Sequence, residues 1–292
     1  MDTKKLEVLL KAIDSGSLTK AAAESGYTQS GISHMIKALE QEVGFSLLER
    51  SKKGVEPTPS ALLLLPLIRE MVNLDESLQQ EIWGIKGIEK GAVTIGSFSS
   101  ISFHWLPEII KRFQEEFPYI TLSLMEGGMD EIENLFLEKK IDIAFFSRQS
   151  HHSYDFVHLV KDPLVAVLPL NHRMAEAKAF PMKDFQKEPF ILTAKGFDYD
   201  INGVLKKNRI EPLVRFTCMD DLTVISMVSK GLGLSILPKL VLGGHGDKVK
   251  GIPLLPEAYR DLGIALPSLK EASPSSRKFV EVAKKIVKEE LL

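Results

Sequence analysis

Gln29, Ser30, Ser33, His34, Lys37 and Gln41 share one side of a helical wheel, with Thr28 just before them in a capping position. Short amides and hydroxyls near the start of a helix suit the donor and acceptor pattern of base edges in a major groove, and a cation further along suits phosphate. The opposite side is apolar: Ile32, Ile36, Leu39 and Val43 fall at i, i+4, i+7 and i+11, with Met35 at the edge. A second group of chemically active residues, Arg50, Lys52 and Lys53, lies in a turn-rich stretch ending at Pro57 and offers positive charge to phosphates or a minor groove. A solvated polar loop is the alternative for that stretch taken alone. His34 reads a base less strongly than an arginine, and near-neutral pH would tune its contact; a solvent-facing residue without a specific role is its other reading.

Such side chains act only if short elements hold them. Ser17 can cap a helix from Leu18 to Ser25, whose alanines permit close packing, and Gly26 suits the left-handed position just past its end. Thr28 then caps the polar-faced helix, which completes a helix-turn-helix, and the segment around Arg50 reads as a β-hairpin wing. Bulk charge does not announce nucleic acid: the formal net charge is −2, and the first sixty residues hold eight Lys or Arg against eight Asp or Glu. The positive charge must therefore act locally.

From Pro59 to about residue 86 the pattern is again helical. An apolar face through Leu62, Leu65, Ile68, Met71 or Val72, and Leu78 or Ile82 suits pairing with a second copy, with packing on its own domain as the alternative. Pro66 should kink this helix, and Gly84, Gly87 and Gly91 release the chain into the next domain. Beyond Gly91 strands and helices alternate, which indicates α/β architecture. Strands are expected at 93–96, 120–125, 141–146, 164–168, 190–192, 213–218, 234–237 and 262–266, and a final basic amphipathic helix at 275–290.

The N-terminal residues resemble the LysR-type transcriptional regulators. Ser17-Leu-Thr-Lys-Ala-Ala, Gly26-Tyr-Thr-Gln-Ser, Ile32-Ser-His, Ile36-Lys-Ala-Leu-Glu, Val43-Gly, Leu48-Glu-Arg and Thr58-Pro follow that family's signature in order and spacing. Asp142-Ile-Ala, Asp162-Pro-Leu-Val-Ala-Val-Leu-Pro and Gly231-Leu-Gly-Leu-Ser-Ile-Leu-Pro extend the likeness into the second half. The resemblance implies base-edge or nearby contacts from Gln29, Ser30, Ser33 and His34, and backbone contacts from Lys37, Arg50, Lys52, Lys53 and Thr58, with the capping Thr28 counted in the same DNA-binding set. Gly31 departs from the usual Ala or Pro, and a glycine inside a helix costs roughly 1 kcal/mol relative to Ala.

The resemblance also implies a fold and a partition. A mostly α winged helix-turn-helix over 1–58 and a linker helix over 59–87 precede a two-lobed α/β, periplasmic-binding-protein-like effector domain over 91–292. Lobe one is expected from 91–161 and 268–292, lobe two from 162–267. The ligand cleft lies at the carboxyl ends of the strands. That rule selects Ser99, Ser100, Ile101 and Ser102 after the first strand, where hydroxyls and free N–H groups could hold an anion, as an ordinary cap and turn also would. It further selects Gly128 after the second strand, Ser147 and Arg148 after the third, and Phe197 and Tyr199 in lobe two. Arg148 could equally be a surface cation, and the two aromatics could equally pack in a core.

Other chemistries lack their residue sets. His151, His152 and His158 have no Asp, Glu or Cys at ligand spacing, Gly231-Leu-Gly lacks the remaining glycine or Lys of a phosphate loop, and no nucleophile, base and orienting residue form a series. No metal, cofactor or enzymatic activity is therefore expected. Cys218 is the only cysteine, as suits a reducing cytosol, and no apolar run reaches the ~18 residues of a membrane span. The expected protein is a cytoplasmic, bacterial regulator. It binds double-stranded promoter DNA as a homodimer or homotetramer, engages RNA polymerase and answers a small-molecule effector. The rival reading is a cytosolic small-molecule-binding or enzymatic α/β protein with an N-terminal interaction module.

Overall fold

The structure, a computed structural model, describes residues 1–51, 54–149, 154–193 and 199–290. The chain divides into two compact units, Met1–Gly91 with Leu137–Lys140, and Ala92–Phe136 with Ile141–Leu292.

In the first unit α1 (Thr3–Ser15), α2 (Leu18–Ser25) and α3 (Gln29–Val43) pack around Leu6, Leu9, Ala21, Ile32, Ile36 and Leu39. Their ends follow from the local sequence. Asp2, Ser17 and Thr28 cap the three N-termini, and Gly16, Gly26 and Gly44 close the three C-termini in the left-handed conformation. The wing strands β1 (Leu48–Ser51) and β2 (Gly54–Pro57) pair antiparallel. Gly54 cannot be replaced cheaply, because an added Cβ would stand 2.3 Å from the Gly16 carbonyl oxygen, beside the point where that oxygen accepts the Val55 N–H at 3.0 Å.

α4 (Pro59–Ile85) runs past Pro66 without interruption. Its inner face is Ala61, Leu64, Leu65, Ile68 and Val72 against the three-helix core, and its buried Arg69 forks onto Asp14 of α1, Nη1 to Oδ2 at 3.0 Å and Nη2 to Oδ1 at 2.5 Å. The single apolar face expected from the sequence is therefore corrected. Leu62, Met71 and Leu78 do not continue that inner face but are exposed, and so are Leu63, Leu67 and Leu74.

The second unit is α/β with two cores. β3 (Gly91–Ser97), α5 (Ser99–His104), α6 (Leu106–Glu116), β4 (Ile120–Glu126), α7 (Met129–Leu137) and β5 (Ile143–Ser147) build the first. β6 (Asp155–Pro169), β7 (Phe180–Pro181), β8 (Pro189–Thr193), α8 (Tyr199–Lys207), β9 (Leu213–Cys218), α9 (Asp221–Ser229) and β10 (Ser235–Pro238) lead through the second. β11 (Val249–Leu266) returns to the first, and α10 (Pro274–Glu290) lays Phe279, Val280, Ala283, Ile286 and Val287 on it.

The main sheet has the order β10-β6-β11-β5-β3-β4, with β7 alongside β11. β6 and β11 are long antiparallel partners that pass from one core to the other. Lobe two consequently ends earlier than the expected residue 267: Leu262, Ile264, Ala265 and Leu266 belong to the first core, while Ile252 and Leu254 belong to the second. Asp142 fastens the first lobe locally, since its Oδ2 accepts the Thr94 N–H at 2.7 Å and its own N–H reaches the Thr94 carbonyl at 2.9 Å.

Candidate DNA-reading face and effector cleft

The candidate DNA-reading face is α3 and the wing. Gln29, Ser30, His34 and Lys37 are exposed, Ser33 is half-buried, and the buried Ile32, Ile36 and Leu39 orient the helix from behind. Thr28 Oγ1 accepts the Gly31 N–H and lies 3.1 Å from both that nitrogen and the Ser30 hydroxyl. An alanine Cβ at Gly31 would come within 3.1 Å of the same oxygen. Glycine therefore spares the cap a close contact, which offsets part of its poor helix propensity. Arg50 of the wing donates from Nη2 to Ser33 Oγ at 3.1 Å, so two expected contact residues meet each other.

Glu40 is structural, its Oε1 accepting the N–H groups of Leu47 at 2.8 Å and Leu48 at 3.2 Å, which pins the wing to the helix. Thr58 requires a correction. It is buried and commits its hydroxyl to the Ser46 carbonyl at 2.9 Å and to capping α4 through the Ala61 N–H at 3.1 Å, so it supports the wing and does not face phosphate. Lys52 and Lys53 lie outside the described residues.

The candidate effector cleft lies where the two cores meet, and its centre is a buried ion pair on the two long strands β6 and β11. Arg260 of β11 donates from Nε to Asp162 Oδ2 of β6 at 2.9 Å, with Nη2 2.8 Å from the same oxygen; both side chains are under a tenth exposed. Arg260 Nη2 also donates to Ser100 Oγ at 3.1 Å, and its guanidinium lies 5.5 Å from the centre of the Phe98 ring. Asp162 Oδ1 accepts the Leu240 N–H at 3.1 Å. One pair thus touches α5 of the first lobe and the turn at Lys239–Leu242 of the second.

Further carboxyl groups surround it. Asp200 accepts from Ser147 Oγ at 2.8 Å and Gln149 Nε2 at 3.0 Å, and burial raises its pKa despite those bonds and the Arg260 charge. Burial likewise raises Asp221 against the pull of Arg260, with Asp220 adding to the rise. Burial, helped by His245 and Arg260 and opposed by Asp162, lowers the pKa of His104.

A cavity of about 330 Å³ opens beside these groups, walled by Ser99, Ser102 and His104 on one side and by Asp220, Asp221 and His245 on another.

The expected ligand residues divide. Ser99, Ser100 and Ser102 line the cavity. Ser147 reaches the cleft through Asp200. Ile101 is a correction: it is 1% exposed and belongs to the first core, on the opposite side of α5. Gly128 is buried and its carbonyl serves the start of α7. Arg148 is exposed over the Phe156 ring, Tyr199 packs half-buried against the first core, and Phe197 lies outside the described residues. Arg260, Asp162, Asp200, Asp221, His104 and His245 were not expected. Asp162 stood in a quoted motif without a role, whereas no local pattern marked Arg260. Among the described residues no three His, Cys, Asp or Glu are placed to hold a metal ion, and no helix is long and apolar enough to cross a membrane.

A helix-turn-helix with a wing, joined by a long helix to a two-lobed α/β domain with a polar cleft, defines a ligand-responsive DNA-binding protein. The chain belongs to the LysR family of transcriptional regulators. Residues 3–62 match the bacterial regulatory helix-turn-helix protein, lysR family, and residues 86–287 match the LysR substrate binding domain. It is 32% identical to the HTH-type transcriptional regulator YvbU of Bacillus subtilis, over 98% of this chain and 99% of that one. It is 26% identical to the transcriptional dual regulator GltC of the same organism, over 96% of each. Among solved structures, a full-length OxyR variant from Pseudomonas aeruginosa superposes with a TM-score of 0.82 at 20% identity, covering 99% of this chain and 95% of that one. The effector binding domain of QuiR in complex with shikimate gives 0.61 at 26% identity, over 70% of this chain and all of that one.

Proposed function

We propose that this regulator reads promoter DNA through Gln29, Ser30, Ser33 and His34, neutralises phosphates through Lys37, Arg50, Lys52 and Lys53, and is controlled by a small molecule in the cleft around Ser100 and Arg260. The observation that carries the reading is the exposed polar face of α3, held rigidly by a buried apolar back and a hydrogen-bonded wing. The row Leu63, Leu67, Leu74 and Leu78 on α4 is the surface for pairing two copies, since so long an apolar stripe is costly to leave in water. Effector closure of the cleft repositions the paired readers and the bend in bound DNA, and thereby the access of RNA polymerase. The protein works in the cytoplasm and catalyses no reaction. Gly91 is the proposed junction between reader and sensor, and residues 59–85 the arm.

The QuiR domain, which binds shikimate, supports a small-molecule effector for a domain of this kind. DNase footprinting of the full-length chain on its own upstream intergenic DNA tests the reading. Protection is expected over two half-sites whose centres lie about one helical turn, ~10 bp, or a multiple of it apart. Uniform protection without a preferred site refutes it.

A further inference from the structure

We infer that Asp200 is a built-in stand-in for an effector carboxylate: from lobe two it fills a carboxylate subsite formed on lobe one by Ser147 and Gln149. The inference rests on the proposed reading of the cleft as the effector site.

The donors stand where a ligand is expected. β5 pairs parallel to β3 and Ser147 is its last residue, so the hydroxyl lies at the carboxyl end of a parallel strand, the end at which open α/β sheets hold their ligands. Ser147 is buried, and Gln149 Nε2 lies 3.4 Å from the Ser147 carbonyl oxygen, which keeps the amide beside the hydroxyl. A hydroxyl and an amide N–H set side by side are neutral donors suited to a carboxylate oxygen.

The protein fills that place itself. Ser147 Oγ donates to Asp200 Oδ1 at 2.8 Å, and Gln149 Nε2 donates to the same oxygen at 3.0 Å. The two sides belong to different lobes. Ile201, the residue after Asp200 on α8, packs with Leu205 in the second core, whereas Phe146, the residue before Ser147, lies in the first. The contact therefore ties one lobe to the other through a carboxyl group.

That carboxyl is held against a cost. Burial raises its pKa, with Asp162 adding to the rise, and so outweighs the Ser147 hydrogen bond, the Arg260 charge and the Gln149 hydrogen bond. Arg260 compensates it only in part, since its Nε and Nη2 are turned to Asp162 and Ser100. Such a contact is poised for exchange. A ligand carboxylate that offers an oxygen to Ser147 and Gln149 releases Asp200, and the tie between the lobes then passes through the ligand.

The test vacates the subsite. Full-length Asp200→Ala is melted in sodium formate or acetate against sodium chloride, each at roughly 50 mM. Either carboxylate is expected to raise Tm of this variant by about 2–4 °C over chloride, and to shift the unaltered chain and Asp200→Asn, whose side chains fill the subsite, by less than about 1 °C. Adding Ser147→Ala to Asp200→Ala should abolish the gain. Asp200→Ser, shorter than Asp and suited to a helix start, vacates the subsite in the same way and decides the matter if the alanine variant does not fold. A carboxylate response equal in the unaltered chain and the vacated variants, or one that survives Ser147→Ala, overturns the stand-in. Footprinting is read separately: a preferred DNA site without carboxylate selectivity removes the stand-in alone, whereas carboxylate selectivity with uniform protection overturns its link to an effector.

Discussion

Arg260→Met separates a buried electrostatic anchor from a surface ornament. Arg260 and Asp162 are both under a tenth exposed and are joined through Nε and Nη2 at 2.9 and 2.8 Å. Removing the guanidinium strands the Asp162 carboxylate in a low-dielectric site and leaves Ser100 without its donor. Breaking such a pair from one side costs about 3–5 kcal/mol, and at about 2–4 °C per kcal/mol for a domain of this size the effector-domain transition falls by roughly 6–20 °C. Replacing both partners, Arg260→Met with Asp162→Leu, removes both charges together but orphans the Leu240 N–H, worth about 1–3 kcal/mol. The double variant should therefore recover about half of the loss. Differential scanning calorimetry resolves the effector-domain transition of the full chain. A single-variant loss under about 1 kcal/mol, or a double variant that sums two full losses, refutes the buried-pair argument.

Thr58→Ala should cost ~1–2 kcal/mol in denaturant unfolding through the lost α4 cap, with the salt dependence of DNA binding unchanged; a slope reduced by about one would restore Thr58 to the phosphate contacts. Gln29→Ala should lower affinity for the promoter site by ~1–3 kcal/mol and spare nonspecific DNA, whereas Lys37→Ala should weaken both alike, and equal loss of selectivity in anisotropy titrations contradicts these roles. Leu67→Lys with Leu74→Lys should shift sedimentation toward the monomer, and an unchanged oligomer removes α4 as the pairing surface. Burial raises the Asp142 pKa against the Thr94 hydrogen bond, so its folded value lies above the unfolded one. Its contribution to stability is then full below the unfolded value, near 3.9, and declines as pH rises through the folded value. Asp142→Asn keeps an acceptor for Thr94 and should flatten that decline in a series of melts; a steeper decline reverses the sign.

The helix-turn-helix was legible because its caps, turn glycines and apolar stripe lie within one contiguous stretch, where each residue type has a local reason. Thr58 was misread because a threonine before a proline looks the same whether it caps a helix or contacts phosphate, and the Ser46 carbonyl that decides it is a tertiary partner. On α4 leucines occupy both faces, so periodicity could not separate the face on the core from the exposed row. Ile101 sits between serines, and only the helical turn from Ser99 to His104 sends it inward. The cleft centre escaped for two reasons. Gly251, Pro253 and Pro256 hide the long strand that carries Arg260, and its partner Asp162 is 98 residues away. Lobe boundaries drawn from loops also missed that β6 and β11 each belong to both cores.

The central claim is a sequence-selective DNA reader on a folded sensor. The most direct measurement is the affinity of the full-length chain for its own upstream intergenic DNA relative to a scrambled duplex, titrated from about 50 to 200 mM salt. The account predicts a preference of about 10³ or more for the natural sequence and a steep loss of both affinities with salt. Equal affinity for the two duplexes at every salt concentration would contradict it.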